Sequence, residues 1–331
     1  MRRRLLAVAA ALLVAAAPAA AQKPYALPES PAFSFLDTSP AAVTRPTTAR
    51  ALATSLLSGV GAGGQVRQGV ALDVAPWSLV PGMTVTLEEY RTSRSKYILA
   101  NTQLSLGTVR AAGDSADTDL GVGARVVLFD HADPMADSGF VNELRRRLVT
   151  GCALPDQPGQ GAATVDCARR VTQEWRESWL NDQGHWNEAS LAIAAAGGWR
   201  LLESRTDSVD AIGWAGWATG ALPLGKGGQI VAQLRYDLGR PGDADGLSYG
   251  ARAFYGSAGA NAFVEVTGDN RGEDAPRADW TAGIEFRAGD NLWLSTGLGN
   301  RRQPGDTEDR TVVIADLRWE LSSGPRFTRG N

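Results

Sequence analysis

The segment Gln229–Leu238, QIVAQLRYDL, alternates apolar and polar side chains at every position except Val231. Successive side chains of a strand point to opposite faces of a sheet, so this order predicts a strand with one apolar and one polar face. Arg235 and Asp237 fall on the polar face. The apolar face carries Ile230, Ala232, Leu234, Tyr236 and Leu238.

The same alternation recurs in Leu247–Gly256, Ala278–Arg287 and Val312–Leu321. Strands of soluble sheets usually have about 5–6 residues, whereas a tilted strand that crosses a bilayer needs about 9–11. Lipid cannot satisfy backbone N–H and C=O groups, so strands in a membrane must close into a barrel. The pattern therefore predicts an all-β fold, an antiparallel transmembrane β-barrel.

Eleven segments fit this pattern. Bacterial barrels have an even strand number, so we expect about 12 strands, within a range of about 10–14. Ala51–Val60 is the first candidate for the twelfth strand, but Thr47 and Thr48 could equally cap a helix over Ala49–Ser58 that plugs the lumen. The predicted strands lie near 67–78, 96–110, 118–130, 187–201, 208–222, 228–238, 246–256, 260–269, 277–288, 291–300 and 310–321.

The N-terminus has the pattern of a cleaved secretory signal peptide. Three arginines, Arg2–Arg4, precede an apolar run that is too short to span a bilayer, and Ala19–Ala21 forms a small-residue cleavage site. We therefore expect residues 1–21 to be removed on export to the bacterial outer membrane. After residue 21 there is no apolar stretch of about 18 residues, which predicts no transmembrane helix.

Three further regions follow the predicted signal peptide. Residues 22–65 are rich in proline and are expected to form a plug or a first strand, with Phe33, Phe35 and Leu36 docked at the barrel mouth. Residues 66–322 form the predicted barrel, and 323–331 a C-terminal tail.

A helical insertion, residues 131–186, interrupts the predicted barrel. Apolar residues at helical spacing predict helices over Gly139–Val149 and Val165–Leu180. Cys152 and Cys167 bracket the loop between them, and in an oxidising compartment they are expected to form a disulfide.

Turn lengths predict which ends of the strands share a side of the membrane. Leu224–Gly227, Gly256–Gly259 and Gly289–Asn291 are short, as periplasmic turns are, while the connections 239–245 and 269–276 are longer. This assignment puts the C-terminus and the helical insertion on the periplasmic side.

The composition argues against several classes of function. A formal net charge of −3 excludes a strongly basic nucleic-acid binder, and two cysteines with two histidines are too few for a zinc cluster. His131 and His185 have acidic neighbours, which leaves a hydrolytic pair or a weak metal site open, but solvated loop residues explain them better. No catalytic sequence motif is present. We therefore predict no enzymatic activity and no cofactor or metal.

The charged residues of the predicted strands fall on the inward, lumen-lining face. Such residues of both signs could form a selective pore or internal salt bridges that stiffen a small, plugged barrel. The sequence leaves both interpretations open. The candidates are Asp73, Arg125, Arg235, Arg252, Glu265, Glu285, Arg287, Asp316, Arg318 and Glu320.

The first third of the chain resembles a known group. SPAFSFLDTSP (Ser30–Pro40), RPTTARALATSLL (Arg45–Leu57), GVALDVAPW (Gly69–Trp77) and NTQLSLGT (Asn101–Thr108) look like segments of uncharacterised, porin-like bacterial outer-membrane β-barrel proteins. The resemblance implies a barrel in the outer membrane, and it carries no catalytic residue.

Three functions follow as hypotheses. The first is a channel or transporter for small solutes. The second is a structural or docking protein whose helical insertion binds a periplasmic or other envelope protein, and the third, a distant alternative, is an enzyme acting on lipids or peptides. The expected partners are outer-membrane lipid and such an envelope protein, with no nucleic acid.

Overall fold

The computed structural model of the protein describes residues 30–38, 43–46, 49–60, 65–80, 85–111, 116–152, 161–181, 185–239, 245–257, 259–270, 277–289, 292–301 and 310–319. The predicted signal peptide, the C-terminal tail 323–331 and the lumen candidate Glu320 lie outside these residues.

One sheet of eleven strands dominates the fold. The strands follow one another in sequence order, and each is antiparallel to the next. The predicted antiparallel all-β class is therefore confirmed. The strands are β1 Ala71–Val74, β2 Thr102–Arg110, β3 Thr118–Asp130, β4 Ser190–Leu201, β5 Val209–Pro223, β6 Gly228–Leu238, β7 Gly246–Gly256, β8 Ala260–Asp269, β9 Arg277–Gly289, β10 Leu292–Arg301 and β11 Arg310–Trp319.

The first two predicted strands are wrong in extent. Only Ala71–Val74 of the segment 67–78 is a strand, because Gly69 has a φ of +80° and Pro76 opens a 3-10 turn. Residues 96–100 of the segment 96–110 belong to the helix Arg94–Ala100 instead, and β2 begins at Thr102. From β3 onward the predicted and observed strands coincide to within a few residues.

Four short helices lie among the described residues of the N-terminal part. They are α1 Pro31–Phe35, α2 Ala49–Ser58, α3 Leu87–Thr92 and α4 Arg94–Ala100. Of the two interpretations of residues 49–60, the helix is correct, but α2 is mostly exposed and Leu57 has 74% of its surface open. It is α1 that is buried: Ala32, Phe33 and Phe35 are core residues.

The helical insertion is present as predicted. Its helices are α5 Ser138–Gly151 and α6 Gly161–Asn181, and a disulfide joins Cys152 to Cys167. The two helices pack through Phe140, Trp175 and Trp179. The Nε1–H of Trp175 also donates to the carbonyl of Phe140 at 3.1 Å.

The insertion lies at the strand ends that carry the short turns. The side chain of Asn187 donates to the carbonyls of Gly225 and Gly228 at the β5–β6 turn, at 3.0 and 2.8 Å. This agrees with the predicted topology, in which the insertion and the short turns share one side. Which side of a membrane that is stays a prediction.

The edges of the sheet are β1 and β11, and no hydrogen-bonded pair joins them among the described residues. Residues 43–46, which we call the edge segment, lie along the outer edge of β1. Thr44 pairs there in parallel with Leu72: its N–H donates to Ala71 at 2.8 Å, and its carbonyl accepts from Asp73 at 3.0 Å. A closed barrel of about 12 strands is not seen.

Within the described part of the chain, no helix combines the length and apolar character needed to cross a membrane.

Candidate functional site

The two faces of the sheet differ sharply in chemistry. Strand register places Arg235, Arg252, Glu265 and Glu285 on one face, which we call the charged face. The opposite face, which we call the apolar face, exposes large hydrophobic side chains from nearly every strand. They include Leu104, Val122, Ile193, Trp199, Trp214, Leu222, Ile230, Leu234, Val264, Val266, Trp280, Ile284, Leu298 and Val313.

The predicted lumen candidates share the charged face. Register also places Asp73, Arg125 and Arg287 there, and the backbone pairing of Asp316 with Ser295 assigns positions 316 and 318 to the same face. The alternation in the sequence thus identified one face of the sheet. That this face lines a lumen stays a prediction.

Arg252 is the centre of a buried ion-pair cluster on the charged face. Its Nη2 donates to Glu285 Oε2 at 2.7 Å, and its Nη1 lies 3.6 Å from Glu265 Oε2. The guanidinium also lies over the rings of Phe263 and Phe254, 3.7 and 4.7 Å from their centroids. Arg252 is only 4% exposed, so carboxylates and aromatic faces replace its water shell.

A second ion pair lies on β6. Arg235 donates two hydrogen bonds to Asp237, from Nε to Oδ2 and from Nη2 to Oδ1, both of 2.9 Å. The Arg235 guanidinium lies 5.3 Å from the ring centroid of Trp217 on the neighbouring strand. Both carboxylate oxygens of the buried Asp237 are therefore occupied.

A third pair joins β3 to β4 and was missed by the sequence analysis. Arg200 Nε donates to Asp119 Oδ1 at 2.8 Å, and Nη2 to Oδ2 at 3.0 Å. Asp119 lies six residues before Arg125 in the same strand and so shares its face. The even spacing of Asp119 and Arg125 could have shown from the sequence that the two share a face. That Asp119 pairs with Arg200 depends on the register between β3 and β4.

The helix α1 packs against the charged face over β2–β5 and forms what we call the plug. Phe35 is buried with Ala194, Ile212 and Trp217. The hydroxyl of Ser30, before α1, donates to both carboxylate oxygens of Asp73, at 2.7 and 2.6 Å.

Asp73 is therefore tied to the N-terminal segment. It is 2% exposed, and Arg45 Nη2 lies 3.5 Å from its Oδ2. The N–H of Ala32 also donates to Ser105 Oγ at 2.9 Å. Phe33, Phe35 and Leu36 pack against the charged face of the sheet, and their expected place at the mouth of a barrel stays a prediction.

Glycines in the strands make room for the plug. A Cβ on Gly123 would lie 2.8 Å from both the backbone N of Ala32 and the Cβ of Pro31, closer than real side chains approach. A Cβ on Gly198 would overlap the ring of Phe35. Gly197, the next residue, faces the other way and has no neighbour within 3.5 Å of such a Cβ.

A polar cluster ties α3 and α4 to the start of the insertion. The hydroxyl of Tyr90 donates to Asp133, and Asn101 Nδ2 donates to the Tyr90 oxygen at 2.9 Å. Burial raises the pKa of Tyr90 and of Tyr97 well above the usual range of a phenol. Both therefore stay protonated at physiological pH, and Tyr90 acts as the hydrogen-bond donor to Asp133.

The two histidines have structural neighbours. The ring of His131 lies 5.5 Å from that of Phe129, and the ring of His185 stacks on Trp179 at 4.0 Å. His185 Nδ1 is 3.5 Å from Glu188 Oε1. In the described ranges no group of three or more His, Cys, Asp or Glu residues could hold a metal ion.

The chain matches no protein-family model, and no curated protein resembles it in sequence. The resemblance to porin-like outer-membrane proteins therefore stays a prediction.

Proposed function

We propose that the chain forms a plugged outer-membrane β-barrel that conducts small solutes along its charged face. The observation that carries this proposal is the opposite character of the two faces: one exposes Leu, Ile, Val and Trp side chains, while the other holds buried ion pairs. Water would disfavour so broad an exposed apolar surface. Lipid would favour it, and if the sheet closes into a barrel, the charged face lines the lumen.

Aromatic residues at both ends of the strands support a membrane location. On the apolar face, Tyr255 lies one residue before the end of β7, and Trp280 and Phe286 stand six residues apart on β9. Such side chains at the two ends of an apolar band are typical of the interfaces with lipid headgroups.

The plug and the ion pairs suggest that conductance through the resting protein is low. The guanidiniums of Arg235 and Arg252 are engaged by carboxylates, which favours internal salt bridges over a ring of free cations. The N-terminal helix occupies the charged face of β2–β5. Displacement of the plug would then be the step that opens a path.

Gly123→Val tests this proposal. Its new side chain would push against the backbone of Ala32, so the plug should leave its seat and single-channel conductance in a planar bilayer should rise several-fold over wild type. Gly197→Val is the matched control, because it adds the same group on the apolar face and should conduct like wild type.

Before this comparison is made, the protein must be shown to form a barrel. A barrel that stays folded in an unheated sample migrates differently on a gel from the heated sample. If wild type and Gly123→Val both form barrels and neither conducts, the channel proposal is wrong. The docking hypothesis would then lead, with one supporting observation: Val149 and Val165, beside the disulfide of the insertion, are 75% and 52% exposed.

A further inference from the structure

We infer that the edge segment, residues 43–46, is the twelfth strand of the wall, and that its outer edge pairs in parallel with β11 to close the sheet. This inference rests on the proposed barrel and specifies how it closes. The partner of the open β11 edge is thus a segment of the same chain.

The edge segment continues the two faces of the sheet. Val43 packs with the plug residues Ala32 and Phe33. Arg45 reaches Asp73 on the charged face, whereas Thr44 pairs with Leu72 and takes the opposite side. Alternation of this kind is that of a wall strand, with Val43 and Arg45 inward and Thr44 outward.

The backbone of the edge segment is available for a second partner. The N–H and the carbonyl of Thr44 both bond to β1. In an extended strand the groups of the adjacent residues point the other way, so those of Val43 and Arg45 face away from β1. Among the described residues, no hydrogen bond of these outward backbone groups is seen.

Strand direction makes the pairing parallel. The order β1 to β11 alternates, so β1 and β11 run in the same direction. The edge segment is parallel to β1 and therefore also to β11. An antiparallel strand is therefore not needed at this edge. The edge segment can pair with about four of the ten residues of β11, and each backbone group left unsatisfied in lipid would cost several kcal/mol.

Paired cysteines test the seam, which is our name for the proposed pairing of the edge segment with β11. Val43→Cys and Arg45→Cys would each be combined with cysteines at positions 312, 314 and 316 of β11 in the full-length protein, with Cys152 and Cys167 retained. Oxidation in outer-membrane fractions should give intramolecular disulfides. Because the pairing is parallel, the best partner of Arg45→Cys should lie two residues C-terminal to that of Val43→Cys.

Ser295→Cys on β10 is the matched control. It shares the charged face but is separated from the seam by β11, about 10 Å at two strand spacings. That distance exceeds the reach of a disulfide, so no product should form.

The outcomes separate the seam from the barrel. If the barrel forms, as judged by gel migration without heating, and no β11 position cross-links, the seam is elsewhere and the inference is wrong. Cross-links only between two copies would equally overturn it. If the wild type forms no barrel at all, the proposed function itself fails, whatever the cross-links show.

Discussion

Leu234→Arg should make folding into a bilayer less favourable by about 2–4 kcal/mol, the cost of an arginine facing lipid near the midplane. Leu234 lies in the middle of β6 on the apolar face and is 49% exposed. In lipid its side chain would meet hydrocarbon, and an arginine there would have to reach the headgroups or carry water inward.

Gln233→Arg is the matched control, one residue earlier and on the charged face. Its neighbour across β7 is Gly250, which leaves room for the longer side chain. The cost should be far smaller than that of Leu234→Arg. Denaturant titration of both variants in lipid vesicles measures the difference, and equal losses would show that the apolar face does not meet lipid.

The strands from β3 onward could be predicted because their signal is local. The alternation with a period of two is visible within each strand, and β6, β7 and β8 end at turns that contain Gly. Residues 96–100 were misassigned because a short apolar run fits a helix and a strand equally well. There the contact of Tyr97 with Tyr90, 5.0 Å between ring centroids, supports two consecutive helices.

The plug could not be predicted in detail from sequence. Phe33 and Phe35 marked the segment as one that docks, but its seat consists of gaps at Gly107, Gly123 and Gly198, which lie on three different strands. Only the folded sheet brings those gaps together. The same is true of the edge segment, whose four residues are too short to show a pattern.

The charged face could likewise be predicted only in part from the sequence. Alternation tells which residues share a face, and it identified Arg252, Glu265 and Glu285 correctly as one set. It does not tell which of them touch, because that depends on the register of β7, β8 and β9. The sequence therefore left a pore lining and a salt-bridge lattice open, and the geometry favours the lattice.

Arg252→Met should destabilise the folded protein by about 3–5 kcal/mol, the typical cost of removing one partner of a buried ion pair. The change would leave Glu285, whose side chain is 9% exposed, without the guanidinium that now lies 2.7 Å away. The apolar stem of methionine keeps much of the packing on Phe263, so most of the loss should come from the uncompensated carboxylate.

The double variant Arg252→Met/Glu285→Gln separates charge from packing. Glutamine carries no charge, so the buried site no longer holds an unpaired anion, and Glu265 is open enough to be solvated, with 23% of its side chain exposed. We expect the double variant to regain most of the lost stability, as measured by the same denaturant titration. If it stays as unstable as Arg252→Met alone, the contribution of Arg252 comes from its stacking on Phe263 and Phe254, and the ion pair does not hold these strands together.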